Sequence, residues 1–184
     1  GGDTSGGSGG GGGGSSLAGG ASSGDPHVST HDGLSYDVQV AGEVVLVEAT
    51  AGTPLQIQAR QEPRGGNCPN VAVNTAVAAR VGADRVAFYA DRARPLWING
   101  ESSDVPGGAL DLEGGGAVLQ LESGDWIVLW PTGEAMLVRI GAYLDVYTLF
   151  PPHRQGALQG LLGNHDGHVD NDVRVRGGEV LSSP

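Results

Sequence analysis

The rhythm of short apolar runs constrains the fold of this chain more than any other feature. From residue 33 onwards these runs recur roughly every 8 to 12 residues and are separated by Gly, Pro, Asn and Asp. Some alternate with polar or small residues, as between Leu34 and Val40, and turn signals such as Asn99-Gly100 follow others. No window of a dozen residues shows a convincing helical stripe; the best candidate, 154–162, predicts one short helical turn. The expected fold class is therefore all-β, an antiparallel sandwich or barrel of about ten short strands.

The first 24 residues differ in composition from the rest of the chain. They contain 13 of its 34 glycines, with one leucine, two alanines and no aromatic residue. Such a segment cannot bury enough surface to offset the entropy that is lost when it becomes ordered. We therefore expect a disordered Gly/Ser-rich linker over 1–23 and one domain over 24–184. We also expect the chain to be a piece of a longer protein that lacks the C-terminal edge of this domain.

The charge of the chain argues against several classes of partner. Ten arginines, no lysine and 21 acidic residues give a formal net charge of −11. Because a phosphate backbone is bound by clustered positive charge, we expect no nucleic-acid partner, and an anionic membrane surface is disfavoured for the same reason. No apolar run approaches the ~18 residues of a membrane-spanning helix, so we expect no direct membrane insertion. Divalent cations suit so acidic a chain wherever its carboxylates converge.

The single cysteine also narrows the class of protein. Cys68 has no second cysteine to pair with, so the sequence excludes an internal disulfide and a cysteine-based zinc site. We expect Cys68 to act as a small buried apolar residue.

The tetrapeptide Gly24-Asp25-Pro26-His27 has a chemistry of its own. The Asp25 carboxylate can attack its own carbonyl carbon through a five-membered ring and break the bond to Pro26, whose nitrogen leaves readily once protonated. His27 is a candidate general acid toward that nitrogen. Because ordinary Asp-Pro bonds are stable near neutral pH, the alternative is a plain turn that joins the linker to the first strand.

A second segment, 163–172, is rich in oxygen donors. After Gly163 it contains three carboxylates and two side-chain amides, and the next arginine along the chain is Arg174. Like charges at this density repel one another unless a cation lies among them, and Ca²⁺ takes about six to eight oxygen ligands in a loop that a glycine can bend. The spacing is not that of an EF-hand. Two alternatives stay open: Zn²⁺ bound by His165 and His168 with a carboxylate, and a solvated acidic turn without a ligand.

Taken together, the two segments resemble the opening and closing motifs of a known family. The stretches GDPHVSTHDGLSYD (24–37) and GLLGNHDGHVDND (160–172) closely resemble those of the von Willebrand factor type D domain. Between them, WING (97–100) and YLDV (143–146) also look like that family. The resemblance covers residues 24–182. It implies a β-sandwich module of an extracellular protein, secreted or at the cell surface, that serves adhesion or assembly with other extracellular proteins or neighbouring domains.

The resemblance further implies one structural calcium ion and possible self-cleavage. Within the acidic segment, His165 would point away from the ion and Asp170 would be a bystander. In some members the tetrapeptide is cut between aspartate and proline, which assigns Asp25, Pro26 and His27 to that reaction. Matched residue by residue, the calcium ligands are the side chains of Asp32, Asn164, Asp166, Asn171 and Asp172 and the backbone carbonyl of His168.

The chain departs from the family in its cysteine content. Animal members are rich in cysteine, whereas here Leu162 stands where a cysteine leads into the acidic segment. We therefore expect neither the disulfide framework nor the covalent polymers of mucin-like members. The absence of lysine and the heavy use of Gly, Ala, Arg and Val suggest a GC-rich genome and therefore a bacterial member. The main prediction is a calcium-binding extracellular module, and the alternative is a self-processing domain. A hydrolytic enzyme ranks last, because no Gly-X-Ser-X-Gly elbow is present.

Overall fold

The apolar runs form strands of two antiparallel sheets. The computed structural model describes residues 18–65, 70–174 and 180, and these ranges contain fifteen strands, more than the ten or so expected. In chain order they are β1 Ala18–Ser23, β2 His27–Ser29, β3 Ser35–Asp37, β4 Gly42–Ala49, β5 Leu55–Pro63, β6 Ala72–Val81, β7 Asp84–Tyr89, β8 Leu96–Ile98, β9 Glu101–Ser102, β10 Ala109–Asp111, β11 Ala117–Gln120, β12 Trp126–Leu129, β13 Ala135–Ile140, β14 Leu144–Phe150 and β15 Leu158–Gln159.

The two sheets have simple topologies. One runs β10-β11-β12-β13-β14-β1-β2-β3 and the other β15-β4-β5-β6-β7-β8-β9. The only helical segments in the described ranges are 3-10 turns at Pro106–Gly108, Pro152–Arg154 and Val169–Asn171. None of them is long enough or apolar enough to span a membrane. The all-β sandwich prediction is confirmed.

The core lies between the sheets and takes alternate residues from each. β14 buries Leu144, Val146 and Phe150 completely, and β7 of the other sheet buries Val86 and Phe88 in the same cluster. Full burial of an aliphatic or aromatic side chain of this size stabilises the fold by about 1.5–3 kcal/mol. Because successive side chains of a strand point to opposite faces, the alternation read from the sequence is what brings these residues into one core.

The predicted helical turn over 154–162 is wrong. The 3-10 turn ends at Arg154, and Leu158–Gln159 form β15, which pairs with β4. Gly156 and Gly160 have φ angles of +67° and +128°, which an α-helix does not accept. The spacing of leucines suggested one helical face, but pairing with the edge of β4 buries Leu158 in an extended conformation.

The predicted linker boundary at residue 24 also differs from the structure. Ala18–Ser23 form β1, which lies between β14 and β2, with Ala21 opposite both Tyr147 and Ser29. A strand of glycine, alanine and serine has no apolar alternation, so its composition indicated a linker. Its partners supply the order that composition could not predict. Residues 1–17 and Cys68, which carry the remaining linker and cysteine predictions, lie outside the described residues.

Replacing Gly20 in the middle of β1 is expected to destabilise the fold. A Cβ at this position would lie 2.9 Å from His31 Nε2. The imidazole cannot retreat freely, because its Nδ1 lies 2.7 Å from the carbonyl oxygen of Leu162 and its Nε2 lies 3.0 Å from Thr148 Oγ1. We expect Gly20→Ala to lower the free energy of unfolding in urea by about 1–3 kcal/mol, as overpacked cores do.

The neighbouring glycine provides the matched control. A Cβ at Gly19 would approach nothing closer than the Thr148 carbonyl oxygen, at an ordinary 3.6 Å. Gly19→Ala is therefore expected to leave the free energy of unfolding within about 0.5 kcal/mol of the unaltered chain. Equal urea midpoints for the two variants would show that β1 does not pack against His31 in solution.

Candidate functional site

The acidic segment forms a loop at the edge of the second sheet, directly after β15. Leu161 and Leu162 donate backbone hydrogen bonds to carbonyls of β4 at 3.1 and 2.8 Å and so extend this edge. The chain then turns at Gly163, where φ is +79°. A Cβ there would collide with the carboxylate of Asp172, so both the backbone and the space at this turn require glycine. The loop thereby folds Asp172 back over its own beginning.

Asp32 connects this loop to the start of the domain. It lies in the turn between β2 and β3, and its two carboxylate oxygens accept backbone hydrogen bonds from Asp166 at 3.0 Å and Gly167 at 2.9 Å. In the same turn, the Thr30 hydroxyl donates to Asp172 Oδ2 at 2.5 Å. Two segments more than a hundred residues apart in sequence therefore meet through their polar groups.

Side chains within the loop form a compact polar network. Asn164 Nδ2 donates to Asp166 Oδ2 at 3.0 Å and to Asn171 Oδ1 at 2.6 Å, and Asn171 Nδ2 donates to the same Asp166 oxygen at 2.9 Å. Asp172 Oδ1 accepts the backbone N–H of Asn164 at 3.2 Å. The structure thus brings together the five side chains that the resemblance proposed as ligands, namely Asp32, Asn164, Asp166, Asn171 and Asp172.

The carboxyl groups of this cluster have shifted pKa values. Burial, helped by the neighbouring Asp32 carboxylate, raises the pKa of Asp172 above its usual value, although the Thr30 hydroxyl and the Asn164 N–H favour its charged form. Burial also acts against ionised Asp166, but hydrogen bonds from Asn171 and from the His168 N–H outweigh it and hold its pKa below the usual value. Carboxylates that face each other in a partly buried site disfavour each other's charged form, which is why the pKa of one of them rises.

The two histidines of the loop have different surroundings. His165, at a φ of +56°, is buried beside His31 with the ring centroids 5.8 Å apart. Its Nδ1 has no hydrogen-bond partner among the described residues. His168 is exposed, and its Nδ1 lies 3.3 Å from Asp166 Oδ1. Its backbone carbonyl accepts only a long hydrogen bond, 3.5 Å, from the N–H of Asn171.

The side-chain donors gathered in the loop are mainly carboxylate and amide groups. Across 18–65, 70–174 and 180, no group of three or more His, Cys, Asp or Glu side chains is gathered so as to hold a metal ion, and this applies to the carboxylates of Asp32, Asp166 and Asp172 as well as to the two loop histidines. The zinc alternative needs the two histidines and a carboxylate together. A calcium site differs, because it can take amide and backbone carbonyl oxygens besides carboxylates, and Asn164 and Asn171 supply amide oxygens in the cluster.

The Asp25-Pro26 bond lies in the turn between β1 and β2. The Gly24 N–H donates to Asp145 Oδ1 at 2.9 Å, and Pro26 is buried. His27 Nε2 lies 2.8 Å from Asp25 Oδ1, while its Nδ1 lies 2.6 Å from Asp37 Oδ1. The imidazole is therefore held between two carboxylates, one of which belongs to the Asp-Pro bond itself.

Asp37 is a residue that the sequence prediction missed. Its hydrogen bond to His27, together with the charges of Asp25 and Asp37, raises the pKa of His27 above the ordinary 6.5. The protonated imidazole, which is the form that can donate a proton, therefore persists to higher pH than in an isolated histidine. Asp37 lies directly opposite His27 in the β2–β3 ladder. Asp37 lies ten residues after His27 in sequence, and its role could not be predicted without the register of the hairpin, which places the two residues side by side.

Comparisons with known proteins agree with this architecture. The family model of the von Willebrand factor type D domain matches residues 21–179. The chain is 32% identical over 162 residues to SCO-spondin of Rattus norvegicus and 30% identical over 162 residues to SCO-spondin of Mus musculus. Each match covers 85% of this chain and 3% of the relative. The chain is also 32% identical over 168 residues to human Sushi domain-containing protein 2, across 86% of the chain and 20% of that protein. It thus spans a small part of these relatives.

Proposed function

The chain belongs to the von Willebrand factor type D domain family, and from this membership we propose that it is a calcium-binding module of an extracellular protein. In this proposal the module serves adhesion or assembly, and its partners are neighbouring domains of the same protein or other extracellular proteins. The length of the relatives supports a modular role, because the matched region is only a small part of each.

The donor set of the acidic loop supports one bound Ca²⁺. Asp32, Asp166 and Asp172 provide carboxylates, Asn164 and Asn171 provide amide oxygens, and the His168 carbonyl is the remaining candidate ligand. The observation that carries the proposal is the position of Asp32, whose carboxylate is hydrogen-bonded to the loop from a different hairpin. A bound ion would neutralise the clustered carboxylates and hold the two segments together.

Equilibrium dialysis against radioactive calcium tests this proposal directly. One ion bound per chain, displaced by excess unlabelled calcium and not by magnesium, is the expected outcome, because Mg²⁺ demands a smaller octahedral site and gives up its water reluctantly. A chain that binds no calcium would contradict the proposal.

A second candidate function is self-cleavage between Asp25 and Pro26. The observation that favours it is the contact of His27 Nε2 with Asp25 Oδ1 beside a second carboxylate, Asp37. This arrangement supplies a carboxylate nucleophile within the scissile residue and a general acid next to it. A plain turn needs neither contact.

Cleavage is expected to leave the two fragments associated. β1, which precedes the bond, lies in the middle of its sheet between β14 and β2. Incubation at mildly acidic pH should therefore give two fragments in denaturing mass spectrometry, the second beginning at Pro26, and one unseparated particle in native mass spectrometry. An uncut chain would contradict the function, and a released fragment 1–25 would contradict the position of β1.

A further inference from the structure

The Gln39 side chain holds the carbonyl of the Asp-Pro bond. Its Nε2 donates to the carbonyl oxygen of Asp25 at 3.2 Å, and its Oε1 accepts the backbone N–H of Ala72 at 2.8 Å. The second bond determines which way the amide faces: since only its oxygen can accept from Ala72, its nitrogen must point at the Asp25 carbonyl. Gln39 lies just beyond β3, and Ala72 begins β6 of the opposite sheet. The donor is thus anchored from outside the turn that carries the bond.

We propose that Gln39 is a catalytic residue of Asp25-Pro26 cleavage, stabilising the negative charge that develops on the Asp25 carbonyl oxygen, and that Asp37 is a positioning residue that orients His27. This inference rests on the proposed self-cleavage and assigns two residues to it that the tetrapeptide does not contain.

The reaction step balances with the groups in place. An Asp25 carboxylate oxygen attacks the Asp25 carbonyl carbon, and the C–N bond to Pro26 breaks. The proline nitrogen takes the proton that His27 carries on Nε2, so the new N-terminus is a secondary amine and His27 becomes neutral. The Asp25 fragment then ends in a cyclic anhydride, which one water molecule opens to two carboxyl groups. During the attack, the carbonyl oxygen carries the negative charge that Gln39 Nε2 faces.

Hydrogen bonds on both sides of the Asp25-Pro26 bond hold the backbone of this turn in place. On one side, the Gly24 N–H is held by Asp145; on the other, the Pro26 carbonyl accepts the Val38 N–H at 3.1 Å. Asp37 holds Nδ1 of His27, which leaves Nε2 directed at Asp25. A donor that is already in place need not reorganise as charge develops, which is the condition under which such donors accelerate reactions.

The test measures cleavage of the full chain by denaturing mass spectrometry between pH 4 and 8. Gln39→Glu keeps the acceptor for Ala72 but removes the donor to the Asp25 carbonyl, and Gln39→Leu removes both. We expect both variants to be cut at least about tenfold more slowly at pH 6. Gln39→Glu should recover part of the rate as the pH falls below about 4.3, where a protonated carboxyl group can donate again, whereas Gln39→Leu should not.

Asp37→Asn has a different expected signature. It removes the charge that sustains protonated His27, so the pH above which the cleavage rate declines should move downwards while cleavage at the lowest pH persists.

Gln120→Glu is the matched control for Gln39→Glu, because Gln120 is an exposed glutamine on β11, and this variant should be cut at the same rate as the unaltered chain. Urea midpoints identify any variant that is merely misfolded, and Gln39→Glu is the variant least prone to it.

The outcomes separate the two proposals. An unaltered chain that is never cut overturns self-cleavage and this inference with it. If the unaltered chain is cut and both Gln39 variants are cut at that same rate at pH 6, the Gln39 assignment alone is overturned. An Asp37→Asn pH profile that coincides with that of the unaltered chain overturns the role of Asp37.

Discussion

Calcium at about a thousand times its dissociation constant is expected to stabilise the chain by about 4 kcal/mol. For a domain of this size that corresponds to a rise in the unfolding temperature of roughly 8–16 °C. The physical reason is that the ion binds a site assembled from two distant segments, Asp32 and the 164–172 loop, which exists only in the folded chain. Differential scanning calorimetry with calcium and with a chelator measures the effect.

Variants of single carboxylates test the ligand assignment. Asp166→Asn and Asp32→Asn should each remove most of the calcium-dependent rise, because each removes a charged ligand while keeping the side-chain shape. Asp170→Asn is the control: the residue lies exposed in the same loop and has the same charge. Its calcium response should match that of the unaltered chain. A response that persists in Asp166→Asn, or vanishes in Asp170→Asn, would show that the ligands have been misassigned.

Glu134→Ala is expected to destabilise the chain by about 3–5 kcal/mol, because it leaves a buried guanidinium without its counter-ion. Arg154 Nε donates to Glu134 Oε1 at 2.5 Å, and both residues are almost fully buried. Arg154 Nη1 also donates to the Thr53 carbonyl at 2.9 Å, so the pair joins three segments. Urea denaturation at pH 7 measures the loss.

The double variant Glu134→Leu, Arg154→Met is the control for this pair. It should recover most of the lost stability, because apolar residues of similar volume replace both charges. A loss below about 1 kcal/mol in Glu134→Ala would show that water reaches the guanidinium.

The ion pair also lies close in sequence to a contact with the acidic loop. Two residues after Arg154, the Gly156 N–H donates to the His165 carbonyl at 2.9 Å and so supports the loop.

The same pair predicts a pH dependence of stability. Burial acts to raise the pKa of Glu134, but hydrogen bonds from Thr132 and Arg154 outweigh it and hold that pKa below the ordinary 4.5. Because the folded-state pKa is the lower one, the contribution of Glu134 is present above pH 4.5 and is lost as the pH falls through the folded-state value. Urea denaturation across the acid range measures this effect. The part of the loss of unfolding free energy at low pH that is absent in the variant Glu134→Leu, Arg154→Met is the contribution of Glu134.

Local pattern was sufficient for most strands but not for all of them. β5 alternates apolar and polar residues from Leu55 to Arg60, so its buried face could be read from the sequence. β14 is less regular, because polar Thr148 lies on its buried face and apolar Leu149 on its exposed face. β1 could not be predicted, because glycine, alanine and serine carry no alternation, and its order comes from β14 and β2. β15 was mistaken for part of a helical turn because two residues that pair with an edge leave no periodic signal.

The candidate site shows the same division. The oxygen donors of 163–172 and the chemistry of Asp25-Pro26 are properties of residues adjacent in sequence, so both can be predicted from the sequence alone. Thr30, Asp37 and Gln39 were not, because each reaches its partner through a hairpin register or a contact across the sheets. Calcium binding and self-cleavage stay predictions that the proposed experiments address.

By itself, the sequence determined the all-β class, the acidic loop and the reactive tetrapeptide, because these depend on the period of side chains along a strand and on the chemistry of neighbouring groups. The family resemblance led to the expectation that Asp32 lies at the loop, and the tertiary structure supplies the hydrogen bonds that hold it there. Tertiary structure alone decided that Gln39 faces the Asp25 carbonyl and that residues 18–23 form an inner strand. Each of these depends on pairing between distant segments, whose registers follow from packing of the whole core and leave no local signal in the sequence.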